Sequence, residues 1–356
     1  MKTSRIAVIP GDGIGVDVTR EALKVLTVIR DAGVPLEWTR FDYGADRYLA
    51  TGVTLPDEEI ENFRDNYDAI FLGAVGDPRV PDMKHAADIL LGLRFKLDLY
   101  VNYRPIRLLD ERLCPLKGKT CKDIDFVVFR ENTEEMYAGV GGHLKKGTAD
   151  EVAIQTAVNT RKGVERIIRY AFEYARAHNR PKVTMSNKSN AMRFEGDLWD
   201  RVFAEVAAEY PDIESNHWYI DALIMQMVKR PEQFEVVVLC NMFGDIATDL
   251  GAQIQGGMGL AGSGNLHPGR TSLFEPVHGS APKYAGKDVA SPLAAISTAG
   301  IMLAELGFPE WEKRIEDAIR EALRTGQVTR DLGGTLGTSA TGDFICETLV
   351  KSVTGP

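Results

Sequence analysis

The chain has 356 residues, of which 44% are hydrophobic, and it carries a formal net charge of −9. A chain of this length can bury a large core, and it predicts two domains or one large α/β unit. The acidic balance argues against a nucleic-acid partner that depends on a basic surface. No apolar run is long enough for a membrane span.

Two features of the sequence predict a cytoplasmic protein. Residues 1–5 lead directly into a predicted strand, so we expect no signal peptide. The chain contains 4 cysteines, and their spacing is not that of a metal site or a disulfide framework. Free thiols of this kind are typical of a reducing compartment.

The first part of the chain alternates between strand and helix patterns. Residues 16–32 form an amphipathic pattern that predicts a helix, and the preceding residues 10–15 form a glycine-rich turn. Short apolar runs predict buried strands at residues 6–9, 69–76, 126–129 and 182–185. This alternation favours an α/β fold with a largely parallel sheet. The glycines at 11–15 do not follow the G-x-G-x-x-G spacing, so an ordinary Rossmann fold is rejected.

Residues 140–160 interrupt this alternation of strand and helix patterns. Residues 141–148 predict a hairpin loop, and residues 151–158 alternate like a half-buried strand. A β-arm inserted in an α/β chain needs a surface to pack against, and a partner subunit would provide one. Helical patterns resume at residues 161–177, and Pro309 opens a last clear helix with Gly326 as its C-cap.

Two aspartates follow a further buried strand. Residues 235–239 predict that strand, and residues 243–251 predict the start of a helix. Asp245 and Asp249 are four residues apart, so they share one face of the helix. Their carboxylates repel each other unless a cation lies between them, and oxygen ligands suit Mg²⁺. The alternative is an aspartate N-cap followed by a solvated aspartate.

Several other polar residues stand at the ends or edges of predicted elements. Arginines amid apolar sequence need anionic partners; singly they predict internal ion pairs, and together a ligand with several carboxylates. Three residues are candidates for this role: Arg94, Arg104 and Arg130. Tyr137 and Lys188 could act as general acid and base near a cation, or be ordinary surface residues. Asp221 follows an apolar alternation and could also be a helix cap.

A glycine- and proline-rich loop covers residues 273–286. Its backbone amides could hold a pyrophosphate, with His278 against an adenosine.

Taken in series, these motifs resemble the β-decarboxylating dehydrogenases, and most closely the 3-isopropylmalate branch, followed by the D-malate/tartrate branch. The segments that carry the resemblance are residues 9–15, 90–94, 102–105, 130–134, 188–190, 241–245 and 275–282. The resemblance implies an isopropylmalate-dehydrogenase-like two-domain fold with a parallel-rich sheet, flanking helices and a β-arm for dimerisation. Residues 1–101 plus 256–356 would form the cofactor-binding domain, and residues 102–255 the substrate, metal and dimerisation domain.

The resemblance also implies roles for the candidate residues. The three arginines would bind the carboxylates of a malate. Asp221, Asp245 and Asp249 would surround Mg²⁺ or Mn²⁺. Lys188 would take the hydroxyl proton, and Tyr137 would protonate the product enolate. Asp221 and Lys188 would come from the neighbouring subunit of a homodimer, so that each active site uses residues of both subunits.

Substrate choice is expected to depend on the residues that face the C3 substituent. Leu90 and Leu91 precede Arg94 by one turn and would give an apolar wall that suits an isopropyl group. Burial of such a group contributes roughly 1.5–3 kcal/mol. We therefore expect oxidative decarboxylation of 3-isopropylmalate to 4-methyl-2-oxopentanoate, the leucine-biosynthesis reaction. D-malate or tartrate is the alternative, and isocitrate and homoisocitrate are less favoured. A non-catalytic regulatory subunit is disfavoured because every catalytic position is filled.

The cofactor would be NAD⁺ or NADP⁺. Members specific for NAD carry Asp-Ile where this chain has Lys283 and Tyr284, and a cation with a phenol suits a 2′-phosphate. Arg330 could add a second cation. Against this, residues 329–334 resemble NAD-using members, so both cofactors stay open. The resemblance implies this set of cofactor-binding residues: Glu275, His278, Gly279, Ser280, Ala281, Lys283, Tyr284, Ser291 and Asp331.

Overall fold

The computed structural model describes residues 2–354. Its strands, in chain order, are β1 (Ser4–Gly11), β2 (Leu36–Arg40), β3 (Ala69–Ala74), β4 (Val101–Arg107), β5 (Asp125–Glu131), β6 (Gly141–Leu144), β7 (Val152–Gln155), β8 (Lys182–Asn187), β9 (Glu214–Tyr219), β10 (Val236–Leu239), β11 (Gly262–Leu266) and β12 (Ser272–Pro276).

The α-helices connect these strands. They are α1 (Ile14–Asp31), α2 (Ala45–Thr51), α3 (Asp57–Asn66), α4 (Lys84–Lys96), α5 (Arg161–Ala177), α6 (Arg193–Ala207), α7 (Ile220–Lys229), α8 (Asn241–Ile254), α9 (Leu293–Glu305), α10 (Pro309–Thr325) and α11 (Thr338–Thr354). Within the described residues, no helix is both long and apolar enough to cross a membrane.

The chain divides into two compact units. Unit 1 comprises Met1–Leu99, Arg107–Lys122 and Ala252–Pro356. Its strands lie in the order β2-β1-β3-β12-β11. Neighbours are parallel from β2 to β12, and β11 pairs antiparallel with β12. Strands β1 and β3 are buried along most of their length, as the short apolar runs at residues 6–9 and 69–76 predicted.

Unit 2 comprises Tyr100–Ile106 and Asp123–Gly251. Its strands lie in the order β4-β5-β10-β8-β9, and β10 pairs in parallel with both β5 and β8. All residues of β10 are buried. A β-branched run buried on both faces is typical of a central parallel strand. The predicted α/β class with a parallel-rich sheet is therefore confirmed.

Helix α5 illustrates how the sequence specifies the packing of unit 2. Its N-cap Thr160 accepts a hydrogen bond from the backbone N–H of Gly163 at 3.0 Å. The buried face includes Val164, Ile167 and Ile168, at the spacing that a helix requires. Each large side chain buried in this way contributes about 1.5–3 kcal/mol to folding.

The β-arm consists of β6 and β7, which pair antiparallel. The prediction of a loop over residues 141–148 is wrong in its first half, because Gly141–Leu144 is itself a strand. Pairing with β7 through backbone hydrogen bonds overrides the low strand propensity of its two glycines. Both strands are exposed, and Leu144 and Ile154 retain 63% and 61% of their accessible surface. An isolated two-stranded ribbon is marginally stable in water.

Candidate active site

The parallel pairing of β5 with β10 brings two predicted site segments together. Arg130, near the end of β5, is in register with Leu239 at the end of β10. The chain leaves β10 and enters α8 at Asn241, so Asp245 lies on the first turns of that helix. Polar side chains that follow parallel strands meet at one edge of the sheet.

Arg130 is buried at the centre of this group. Its Nε donates to Asn241 Oδ1 at 2.8 Å, and its Nη1 donates to Asp245 Oδ1. The guanidinium carbon lies 5.0 Å from the centre of the Tyr137 ring. A Cβ atom on Gly244 would stand 2.6 Å from Arg130 Cγ, so only glycine allows this approach of α8 to the arginine.

Tyr137 and Asp249 complete the group around Asp245. The Tyr137 hydroxyl donates to Asp245 Oδ2 at 2.8 Å. Burial, and then the Asp245 carboxylate, raise the pKa of Tyr137. Burial and the charge of Asp245 likewise raise the pKa of Asp249, while Arg104 and Arg130 act in the opposite direction. The tyrosine hydroxyl is therefore held as a proton donor to the Asp245 carboxylate.

Asp245 and Asp249 have the donor chemistry of a Mg²⁺ or Mn²⁺ site. They lie one turn apart on α8, as their spacing predicted. Burial is the larger cause of the raised pKa of Asp249, and repulsion by the Asp245 carboxylate is the second; a divalent cation would relieve that repulsion. Hard divalent cations prefer such oxygen ligands. The residues present thus fit the metal that the sequence led us to expect.

Arg104 lies on β4 and is also buried. Its Nε donates to Asn102 Oδ1 at 2.9 Å. Asn102 and Asn241 thus orient the arginines Arg104 and Arg130 respectively, and sequence reasoning missed both asparagines. The available signal was an asparagine two residues before one arginine and another at the start of α8.

Lys188 and Asp221 form a second group in unit 2. Lys188 follows β8, and Asp221 lies in the first turn of α7, which follows the neighbouring parallel strand β9. Lys188 Nζ donates to Asp221 Oδ1 at 2.7 Å, and the two side chains are 28% and 64% exposed. This bond lowers the pKa of Asp221. The lysine therefore belongs to a solvent-accessible ion pair in the single chain.

Arg94 lies in unit 1, at the end of α4, where it forms an internal ion pair. Its Nη2 donates to Glu275 Oε1 at 2.9 Å, and Asn265 Nδ2 donates to the same oxygen at 3.0 Å. Arg94 Nε is buried and has no hydrogen-bond partner among the described residues. On the same helix, Leu90 packs against the core of unit 1 and Leu91 is half-buried.

The predicted cofactor loop follows β12. Ser280 is buried; its hydroxyl donates to the Gly76 carbonyl at 2.5 Å and its carbonyl accepts from Ile14 N at 2.7 Å. His278 Nδ1 donates to the carbonyl of exposed Gly279 at 3.0 Å, and burial lowers the pKa of the imidazole. Ala281, which follows Ser280, has a φ of 36°, in the left-handed region that favours glycine.

The remaining predicted cofactor residues divide between exposed and buried positions. Lys283 and Tyr284 are exposed, and the lysine Nζ lies 4.7 Å from the centre of the tyrosine ring. Ser291 is buried and donates to the Gly259 carbonyl at 3.2 Å. Asp331 Oδ1 accepts from the Thr329 hydroxyl at 2.5 Å.

Sequence reasoning also missed Asp12 in the glycine-rich turn. Its carboxylate accepts from the backbone N–H groups of Ala45 at 2.6 Å and Gly76 at 2.8 Å. The same carboxylate lies 2.9 Å from Nε2 of His85, which is fully buried. Asp12 therefore fastens the turn at residues 10–15 to three other segments of unit 1. Its position between two glycines was the available signal.

The chain is similar to known proteins over nearly its whole length. The family described as "Isocitrate/isopropylmalate dehydrogenase" matches residues 5–347. The 3-isopropylmalate dehydrogenase of Thermobifida fusca is 47% identical over 355 residues, which cover 98% of this chain and 99% of that protein. The Streptomyces coelicolor enzyme of the same name is 45% identical over 348 residues, covering 96% and 99%. The crystal structure of isocitrate dehydrogenase from Methylococcus capsulatus aligns with a TM-score of 0.87 and 38% identity, covering 98% of this chain and 99% of that one.

Proposed function

The chain belongs to the isocitrate/isopropylmalate dehydrogenase family, and we propose that it catalyses the NAD(P)-dependent oxidative decarboxylation of 3-isopropylmalate. The single observation that carries this proposal is the arrangement of Arg130, Tyr137, Asp245 and Asp249 at the ends of β5 and β10. Arg130 provides a positive charge for a substrate carboxylate, and Tyr137 provides a phenol that can donate a proton. Asp245 and Asp249 provide oxygen ligands for a metal. These are the groups that oxidation next to a carboxylate, followed by loss of CO₂, requires.

The choice of 3-isopropylmalate over other malates is supported by the relatives and by the character of α4. The relatives that carry this substrate in their name match almost the full length of the chain. Leu90 and Leu91 give α4 apolar side chains within one turn of Arg94, and an isopropyl group gains from an apolar neighbour. A polar C3 substituent would lack a hydrogen-bonding partner at such a wall.

Arg94, Arg104 and Arg130 are the proposed ligands of the substrate carboxylates. Each is buried and already bonded to a polar side chain of the protein, so its guanidinium is held in position before a ligand arrives. Preorganised donors of this kind lower the cost of desolvating an anionic substrate.

Asp221, Asp245 and Asp249 are the proposed metal ligands. A bound divalent ion would supply Lewis-acid stabilisation of the substrate oxygens, and a bound dinucleotide would accept the hydride. Tyr137 would deliver the proton to the product enolate, because its hydroxyl is protonated at neutral pH and is held in place by its bond to Asp245. Lys188 would accept the hydroxyl proton.

The proposed function is tested by turnover with a panel of substrates. The purified protein is supplied with Mg²⁺ and either NAD⁺ or NADP⁺, and reduced cofactor is followed with 3-isopropylmalate, D-malate, tartrate and isocitrate. We expect the highest kcat/KM with 3-isopropylmalate and stoichiometric release of CO₂. A higher kcat/KM with D-malate or tartrate would move the assignment to that branch, and lack of turnover with every substrate would end the enzymatic proposal.

We further propose a homodimer in which each active site takes Lys188 and Asp221 from the partner subunit. In the single chain this pair is accessible to solvent rather than enclosed. Helix α7, which begins beside Asp221, exposes Met225 and Val228 at helical spacing. These exposed apolar side chains, together with the exposed β-arm, favour burial against a second copy of the chain.

The two units have separate proposed roles. Unit 1 would bind the dinucleotide through the loop after β12 and carries Arg94, whereas unit 2 carries Arg104, Arg130 and the proposed metal ligands and would form the dimer. A cytoplasmic location is also proposed, and it is supported by cysteines that are free in the described structure.

The preference between NAD⁺ and NADP⁺ is expected to depend on Lys283 and Tyr284. Lys283 and Tyr284 are exposed on the turn that would meet the adenosine 2′ position. If Lys283 contacts a 2′-phosphate, the charge-assisted bond contributes about 1.5–3 kcal/mol, or roughly tenfold or more in relative kcat/KM. We expect the paired change Lys283→Asp with Tyr284→Ile to shift preference towards NAD⁺, measured as the ratio of kcat/KM for the two cofactors.

The matched control is Lys287→Asp, which places the same charge change at another exposed position of the same loop. It should alter the ratio much less than the paired change. A wild-type protein that already prefers NAD⁺ strongly, with a paired variant that behaves the same, would show that Lys283 makes no contact with a phosphate.

A further inference from the structure

A second group of potential metal ligands lies in unit 2, apart from the aspartates of α8. Glu135 immediately precedes the short 3-10 helix Met136–Ala138, Cys240 lies between β10 and α8, and Glu195 stands in the first turn of α6. A carboxylate oxygen of each glutamate and the Cys240 sulfur lie within 4.8 Å of one another. Glu135 and Cys240 are buried, and Glu195 is half-buried. We name this group the thiol–carboxyl cluster.

The cluster contains two buried carboxylate oxygens that make no hydrogen bond of ordinary geometry within the described residues. Glu135 has 0% of its surface exposed, and its Oε2 accepts from the backbone N–H of Met242 at 2.5 Å. Its Oε1 is buried without a hydrogen bond of ordinary geometry to the described residues, and the same holds for Glu195 Oε2. The Cys240 thiol nevertheless interacts with both carboxylates, and Asn159 interacts with that of Glu195. Neither glutamate forms an ion pair within the described part of the chain. A buried acceptor left without a partner is destabilising by about 1–3 kcal/mol, so such atoms suggest a missing ligand.

The chemistry of the three groups is that of a metal site rather than a solvated acidic surface. Burial raises the pKa of Glu135, raises that of Glu195 to about 7, and raises that of Cys240 well above its usual value. Without a cation, the cluster therefore retains protons that a bound metal would displace.

We infer that Glu135, Glu195 and Cys240 bind a borderline divalent cation of the Zn²⁺ class, separately from the Mg²⁺ or Mn²⁺ proposed at Asp245 and Asp249. Zn²⁺ takes cysteine sulfur together with carboxylate oxygen, and three protein ligands leave a fourth position for water. A thiolate is a poor ligand for Mg²⁺, which selects oxygen. The two sites are thus distinguished by ligand type.

The cluster joins the segments that carry the proposed catalytic groups. Cys240 directly precedes α8 with Asp245, and Glu135 lies two residues before Tyr137. A cation bound by both segments would hold the short helix that carries Tyr137 close to the start of α8. Because it binds the folded state alone, we expect it to raise the thermal unfolding midpoint.

Glu135 offers a suitable test variant because of its backbone. Its φ is 69°, in the region that favours glycine. Glu135→Gly therefore removes a ligand without imposing backbone strain. The matched control is Asn179→Gly, at an exposed residue with a φ of 54° that lies outside the cluster.

Cd²⁺ is the probe, because its bond to a thiolate gives an ultraviolet charge-transfer band that carboxylates alone do not give. The metal-free full-length protein is titrated with Cd²⁺ in saturating Mg²⁺, so that the aspartates of α8 are occupied. We expect the band to saturate at one thiolate-bound Cd²⁺ per chain and to disappear in Cys240→Ser. Loss of a residue that only hydrogen-bonds to a metal ligand typically weakens metal binding about 10–100-fold. Glu135→Gly removes a direct ligand, so it should bind Cd²⁺ at least about tenfold more weakly.

The controls Asn179→Gly and Cys114→Ser should keep the band and its affinity. Absence of the band in the wild-type protein would overturn the inference, as would its persistence in Cys240→Ser or unchanged affinity in Glu135→Gly. In that event the two glutamates share protons and bind no metal. Should Cys240→Ser fail to fold, Glu195→Gln at a half-buried position tests the cluster instead: the band should remain and the affinity for Cd²⁺ should fall, and unchanged affinity would overturn the inference. None of these outcomes depends on catalytic turnover.

Discussion

The Asp245→Asn variant is expected to lose about 10³-fold in kcat/KM while keeping its fold. The substitution preserves the size of the side chain and an acceptor for Tyr137, but it removes one of the three negative charges proposed to hold the cation. Lewis-acid stabilisation by a divalent ion is worth several kcal/mol, and about 4 kcal/mol corresponds to this factor. Steady-state kinetics over a wide range of Mg²⁺ concentrations, with circular dichroism as a check of folding, measures the effect.

The competing explanation for that loss is disturbance of Arg130, because Asp245 accepts from its guanidinium. Direct Mn²⁺ binding to wild-type and variant protein separates the two explanations. Weaker binding of Mn²⁺ in Asp245→Asn, together with complete loss of wild-type turnover in EDTA and recovery with Mg²⁺, is the expected pattern. Full wild-type turnover in excess chelator would exclude a role for the metal. Asp317→Asn, in an exposed ion pair on α10, is the control for loss of an aspartate charge.

The part of this site that the sequence could predict is the part encoded locally. The apolar, β-branched run before Cys240 predicted a buried strand, and the spacing of Asp245 and Asp249 predicted a shared helical face. Both predictions depend on periodicities of a few residues. The C-cap Gly326 was predicted in the same way and is confirmed by its φ of 69° after α10.

Contacts between distant segments could not be predicted from the sequence. Arg94 pairs with Glu275, which is 181 positions away, and the sequence offered only the general expectation of an acidic partner. The position of Glu135 beside Cys240 depends on the pairing of β5 with β10 and on the turn that follows β5. The spacing of these two residues along the chain has no periodicity that would associate them.

The Lys188→Met variant is expected to block oxidation itself, with kcat/KM reduced by about 10²–10⁴-fold, the usual effect of removing one positioned proton-transfer group. Methionine keeps the length of the side chain and removes the amine, so the substrate hydroxyl would have no acceptor for its proton. Tyr137→Phe should retain oxidation better than it retains release of correctly protonated product. Pre-steady-state measurement of cofactor reduction, compared with product formation, distinguishes the two steps. Two variants that both match wild type would refute these assignments.

Mixing the two inactive variants tests whether the site is shared between subunits. Lys188→Met and Asp245→Asn homodimers are each expected to be inactive, because every site in them lacks one group. If Lys188 serves the site of its partner, a mixed dimer contains one complete site, formed by the Asp245 of one chain and the Lys188 of the other. Random exchange of subunits makes half of the dimers mixed, so activity should recover to about a quarter of wild type. If each site were built from a single chain, every site in the mixed dimer would still lack a group and no activity would return. The exposed Lys188–Asp221 pair, 2.7 Å long in the isolated chain, leads us to expect recovery.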